Sequence, residues 1–305
     1  MHAITQPDGV GSYESLQWHE VPDPVAGPGE VIVDIAATAV NRADVLQRQG
    51  RYDPPPGATS IIGLECAGVI SELGPGVMSL KVGDRVTALL AGGGYAQRVA
   101  VPAEQVMSVP ASITLVEAAS LPEVACTVWS NVFMTAGLKQ GEWLLIHGGG
   151  SGIGTHAIQV ARAAGARIAV TAGSAAKLEV CRALGADLLI DYSTEDFAEV
   201  IEREIGGVDV ILDMIGAKYL ARNVNVLNRN GRIAIIGMQG GTKGEIDLGD
   251  LLRRNGTIHA AALRSRPVSE KARICRAVEL NIWPWVDAGL VKPVIGAQLP
   301  IAQAG

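Results

Sequence analysis

The sequence predicts an α/β chain of two domains, a barrel-like antiparallel β domain followed by a doubly wound parallel sheet. Three observations predict it. The 305 residues suffice for two cores at about 150 residues per domain. The first third breaks into short apolar segments separated by Gly/Pro-rich turns, and from residue 143 onward apolar strands alternate with amphipathic helices.

In the first third, the segments GEVIVDIAATAV, GLECAGVISELG, GDRVTALL and YAQRVAVP are separated by PDPVAGPG, YDPPPG and AGGG. Strands this short with such punctuation indicate antiparallel pairing. Near Ser112 the texture changes, and a long helix is expected over 113–137. Six strands follow: WLLIH (143–147), RIAVT (167–171), LLID (188–191), DVILD (209–213), RIAII (232–236) and TIHAAA (257–262). Ala157, Val160, Ala161 and Ala164 share one helical face between the first two. Near-continuous apolar strands joined by helices specify a parallel sheet covered on both faces. A last helix is expected over 269–289.

Composition narrows the function. Hydrophobic residues make up 48% and charged residues 18%, which excludes disorder. A net charge of −6 without a basic run speaks against nucleic acid and anionic membranes as partners. The four cysteines show no CxxC spacing and no basic, apolar leader opens the chain, so a reducing, cytoplasmic setting is expected. Cys66 and Cys126 read as small buried hydrophobes, and His147 as a packing residue.

Glycine, at 37 residues, has a use after the strand WLLIH. The string Gly149-Gly150-Ser151-Gly152-Ile153-Gly154 leads from that strand into a helix, the context of a dinucleotide phosphate loop. Gly149 is expected to make the tight turn and Gly154 to let strand and helix pack closely. Ser151 stands where the motif has its middle glycine. About twenty residues on, a carboxylate would bind the ribose of NAD, but the segment reads TAGSAAKL. Lys177 lies in the first turn of the next helix, where a cation opposes the macrodipole; a solvated lysine is the plain reading, and a phosphate bound by Ser174 and Lys177, with Tyr192 nearby, is the functional one. It implies NADPH.

The segments NRADVLQRQGRYDPPPG (41–57), GLECAGVISELGPGV (63–77), KVGDRV (81–86), LIHGGGSGIGTHAIQ (145–159) and ALRSR (262–266) resemble the zinc-independent quinone oxidoreductases of the medium-chain dehydrogenase/reductase superfamily. The likeness is to the stress-inducible NADPH:quinone oxidoreductase branch related to ζ-crystallin, and it covers nearly the whole chain. It implies a GroES-like catalytic domain over 1–115 and 263–305 and a Rossmann NADPH-binding domain over 116–262. It further implies that Asn41 and Thr127 approach the nicotinamide, that Ser151, Gly152 and Ile153 hold the pyrophosphate, and that Gly173, Ser174, Lys177 and Tyr192 surround the 2′-phosphate. Gly216, Gly237, Met238, Leu263 and Ser265 would line the remaining length. Zinc-dependent relatives carry Cys where this chain has Asn41 and GHE where it has Gly63-Leu64-Glu65, so no metal is expected. Relatives continue past LPIAQAG with a helix and a closing strand.

Catalysis is expected to rest on Asn41, Asp44 and Tyr52. Asn41 and Asp44 also read as a helix cap and its partner three residues on, and Tyr52 as a surface ring. The implied activity is transfer of reducing equivalents from NADPH to a quinone or similar electron-poor carbonyl, whose hydroquinone anion lessens the need for an acid. An enoyl or enone reductase, with Tyr52 as proton donor, is the alternative enzyme. An NADPH-binding protein with a structural or RNA-related role is the alternative of another class. The apolar strand 257–262 at a sheet edge suggests a homodimer or a tetramer.

Overall fold

Short, largely apolar strands build the first unit, which comprises Met1–Cys126, Leu263–Ala288 and Ile295–Gly305. The computed structural model describes every residue except Asp8 and Gly305. Strands β1 (His2–Thr5) and β2 (Gln17–Glu20) form an antiparallel pair that the sequence reading did not anticipate. Strand β3 (Glu30–Ala37) leads to helix α1 (Arg42–Arg48), then to β4 (Glu65–Leu73), β5 (Arg85–Leu89), β6 (Arg98–Pro102) and β7 (Val106–Ser108). They form an antiparallel five-stranded sheet of order β6-β3-β4-β5-β7. Val31, Val33, Cys66, Ile70, Val86 and Val99 are buried on its core face.

The helix expected over 113–137 is three pieces. Helix α2 (Leu115–Ala118) opens on a capping box in which Thr114 Oγ1 accepts from Glu117 N and the Glu117 carboxylate accepts from Thr114 N. Pro122 lacks an N–H and restrains Leu121, so α3 (Pro122–Val128) starts anew. Trp129–Thr135 is then π-helical. There Asn131 Nδ2 (2.9 Å) and Ser130 Oγ (3.3 Å) donate to the Thr127 carbonyl.

The second unit comprises Thr127–Ala262 and Gly289–Val294, so the contact boundary follows Cys126 rather than residue 115. Its strands are β8 (Trp143–His147), β9 (Arg167–Ala172), β10 (Leu188–Asp191), β11 (Val208–Asp213), β12 (Leu227–Ile235) and β13 (Thr257–Ala260). Helices α4 (Gly152–Ala163), α5 (Ala175–Ala183), α6 (Phe197–Ile205), α7 (Leu220–Asn225) and α8 (Leu248–Arg254) connect them. The sheet is parallel, of order β10-β9-β8-β11-β12-β13. Strand order reverses between β8 and β11, the switch point outside whose carboxyl ends such sheets bind ligands. Strand β12 begins five residues earlier than expected, across an irregular register with β11.

The last expected helix is also split, into α9 (Val268–Asn281) and α10 (Trp283–Asp287) around Ile282, with Pro284 in the first turn of the second. Within the first unit, Trp283 is buried and its Nε1 donates to Ser108 O at 2.7 Å. Among the described residues, no helix is long and apolar enough to cross a membrane.

Candidate functional site

At the switch point of the second unit lies a cavity of about 450 Å³, walled by the phosphate loop, the ends of β9 and β11, and the segment around Gln239. The loop departs from expectation in one respect. The left-handed residue of the tight turn is Gly148, at φ +72°, not Gly149. Gly149 is needed for space, because a Cβ there would lie 2.8 Å from Val170 Cβ and 3.0 Å from Cys181 Sγ. Gly154 packs as expected, since its Cβ would fall 2.4 Å from Gly148 O. Ser151 is the N-cap of α4, accepting from Gly154 N at 3.0 Å and donating to Gly148 O at 2.8 Å. A Cβ on Gly152 would meet nothing within 4 Å. The helix therefore presents open backbone and its positive end to an anion.

Ser151, Gly173, Lys177 and Tyr192 line this one cavity. The Lys177 stem covers Gly150, whose Cβ would lie 3.0 to 3.3 Å from it, and the Tyr192 ring covers Gly173, whose Cβ would lie 2.5 Å from the phenol oxygen. Ser174 is the N-cap of α5 and accepts from Lys177 N. Among the described residues no carboxylate lines the cavity, whereas a second lysine, Lys218, does. Sequence reading missed Lys218, because nothing local marks it. Gly216, Gly237 and Met238 lie together behind Met214: a Cβ on Gly216 would lie 3.2 Å from Met238 Cα, and one on Gly237 3.0 Å from Met214 O. A dinucleotide fits these groups, with its phosphates toward the loop and the start of α4.

Asn41, Asp44 and Tyr52 belong to the first unit, as do Leu263 and Ser265, while Thr127 begins the second. Asn41 and Asp44 form the capping box at the start of α1, with Asn41 N donating to Asp44 Oδ2 at 2.7 Å. The capping role is therefore real. Around it is a buried polar cluster. Tyr95 OH donates to Asp44 Oδ2 at 3.4 Å, and burial pushes the carboxyl up to about 6 against the backbone N–H groups that face it. Glu65 is fully buried; one oxygen accepts from Asn41 Nδ2 at 2.8 Å and the other from Glu123 N at 2.9 Å, yet burial pushes it up to about 8. Sequence reading noted Glu65 only as part of a lost zinc motif. Its position ahead of an apolar strand run was the available signal.

Arg264 is likewise buried. It donates to Ala91 O (2.8 Å), Gln47 Oε1 (2.7 Å) and Tyr52 O (3.5 Å), and its guanidinium lies 5.4 Å from the half-buried Tyr52 ring. Tyr52 is thus held by Arg264 rather than free on the surface. Leu263 is buried and Ser265 exposed. Among the described residues, no three His, Cys, Asp or Glu side chains come together as a metal ion requires. Asn41, turned toward Glu65, does not fit a zinc centre. The four cysteines are free and buried, and burial raises the thiols of Cys66 and Cys126, as suits packing groups.

Residues 27–111 match the family described as alcohol dehydrogenase GroES-like domain, and residues 152–277 the one described as zinc-binding dehydrogenase. The chain is 37% identical over 237 residues, 77% of its length, to a mycocerosic acid synthase-like polyketide synthase of Mycobacterium tuberculosis, but spans only 11% of that protein. It is 29% identical to the quinone oxidoreductase of Sus scrofa, over 93% of this chain and 86% of that one. Among solved structures, a mycobacterial protein complexed with NADPH superposes with TM-score 0.86 at 27% identity, covering 100% of this chain and 94% of that one. An NAD-dependent alcohol dehydrogenase gives 0.84 at 30%, covering 97% and 92%. The CurK enoyl reductase gives 0.81 at 27%, covering 96% and 90%.

Proposed function

The chain belongs to the medium-chain dehydrogenase/reductase superfamily of oxidoreductases, and on that premise we propose that it is a zinc-independent, NADPH-dependent reductase of quinones or similar electron-poor carbonyls. The observation that carries the cofactor reading is a cavity at the β8/β11 switch point lined by Lys177 and Lys218 and, among the described residues, by no carboxylate. The likeness to a quinone oxidoreductase over nearly the full length of both chains supports the substrate class.

The dinucleotide, when bound, supplies the hydride; the chain's own residues bind and orient. Ser151 orders the start of α4, whose N–H groups would hold the pyrophosphate. Lys177 offers its charge to the ribose phosphate, and Tyr192 walls that corner. In the first unit, Asn41 is oriented by Glu65, and Tyr52 is fixed by Arg264 at its carbonyl and ring. Asp44, whose carboxyl burial pushes up to about 6, can hold or release a proton. Two such reducing chains would pair through the uncovered edge of β13.

The test is steady-state oxidation of NADPH and NADH over a panel of small quinones beside enoyl thioesters. Quinone turnover with NADPH is the expected result. Turnover of enoyl thioesters alone would favour the second reading, an enoyl reductase, for which the likeness to CurK speaks. Dinucleotide binding without turnover on either panel would refute an enzymatic role.

A further inference from the structure

Under the cavity, four polar side chains of the second unit are fully buried in a row: Thr171, His147, Asn223 and Asp213. Asp213 Oδ1 accepts from Ile215 N (2.6 Å) and Gly216 N (3.1 Å), and Oδ2 accepts from Asn223 Nδ2 (3.1 Å). Asn223 Oδ1 lies 2.8 Å from His147 Nε2, His147 Nδ1 lies 3.2 Å from Thr171 Oγ1, and Gly148 N donates to that hydroxyl at 3.3 Å. Phe197 and Tyr219 close edge-on around the imidazole, at 4.7 and 4.8 Å.

Burial raises the Asp213 carboxyl, and with Asp213 ionised on its backbone donors the protons in this row have one consistent arrangement. A carboxylate receiving backbone N–H groups accepts only, so the Asn223 amide must turn its NH2 to Asp213 and its oxygen to His147. His147 Nε2 must then carry hydrogen. Burial pulls the imidazole down to about 4, so the ring is neutral and Nδ1 is bare, and the Thr171 hydroxyl donates to it. From Gly148 N through Thr171, His147 and Asn223, every hydrogen bond points toward Asp213, and bonds aligned in this way polarise one another.

We propose that Asp213, Asn223, His147 and Thr171 form one positioning relay that ties the turn at Gly148 to the opposite lip at Ile215–Gly216. Dinucleotide affinity then depends on Asn223 and His147, neither of which lines the cavity. The inference rests on the cofactor reading above and deepens it. Because the relay sets both walls rather than one phosphate contact, it acts on NADPH and NADH alike.

Two variants and one spectrum test it. Asn223→Leu keeps the branched shape and the number of heavy atoms but removes both amide bonds; about tenfold weaker binding of both dinucleotides is expected, the effect of about one hydrogen bond. Asn223→Asp sets two carboxyls side by side. One shared proton restores the row at acid pH, and as pH rises both ionise and repel. Its dinucleotide affinity is therefore expected to fall with rising pH where the wild type's does not. The other titratable groups facing this place are Tyr219, with Tyr192 beside it, and Arg222, paired with Asp196 at 2.9 Å. Nitrogen-15 NMR of the wild type is expected to show a neutral His147 protonated at Nε2.

A folded Asn223→Leu with wild-type affinities, a flat pH profile in Asn223→Asp, or a His147 protonated at Nδ1 would each overturn the relay. A wild type that binds neither NADPH nor NADH would overturn the cofactor reading instead.

Discussion

Replacing Lys177 by alanine sets two effects of opposite sign against each other, and the structure gives a size for both. Lys177 is the third residue of α5, after the Ser174 cap, where its charge meets the positive end of the helix. Removing it relieves about 0.3–1 kcal/mol of unfavourable dipole interaction, and alanine is no worse a helix former. The variant is therefore expected to melt at the same temperature or slightly above the wild type. Binding changes the other way. A charged hydrogen bond to phosphate is worth about 1.5–3 kcal/mol, but Lys177 is exposed and solvent screening selects the lower end. About 1.4 kcal/mol corresponds to a tenfold rise in the Kd of NADPH. NADH, which lacks the 2′-phosphate, is expected to bind as before. Titration calorimetry with NADPH, NADH and 2′,5′-ADP, beside thermal melts, gives all the quantities. Equal losses for NADPH and NADH, or no loss for either, would refute the assignment of Lys177 to the phosphate.

Four other outcomes are expected. Glu65 carries a pKa raised from 4.5 to about 8, so the folded state holds a proton that the unfolded state releases. Its contribution to stability is full below about pH 4.5 and is lost as pH rises to about 8; Glu65→Gln is expected to flatten that slope in melts taken across the range, and an unchanged slope refutes the shift. Gly154→Ala puts a Cβ against two backbone carbonyls that have no room to retreat, and is expected to destabilise by about 1–3 kcal/mol in urea titrations. Activity is expected to survive exhaustive chelation, and stoichiometric zinc in the purified protein would contradict the zinc-independent reading. Finally, Ala260→Lys, at the exposed end of the edge strand β13, is expected to separate a dimer into monomers by light scattering, whereas a monomeric wild type would refute the pairing.

The sequence by itself determined the parallel sheet. Six apolar runs spaced by helical periodicity admit few other solutions, and β8 and β10 begin and end where the apolar runs do. The glycine loop was equally legible, because an absent side chain at a strand-to-helix turn is a local fact. Which glycine did what was not. Gly148 turns the chain and Gly149 clears Cys181, and that division depends on α5 packing behind the loop. Helix boundaries failed where periodicity continued through a change of geometry, at Pro122 and again in the π-helical turn after Val128. Hydrogen-bond partners distant in sequence were beyond reach for a stronger reason. Glu65 meets Asn41 and Glu123, Arg264 meets Gln47, and His147 meets Asn223. Burial makes each of those polar groups depend on its partner, and only the tertiary fold decides who the partner is.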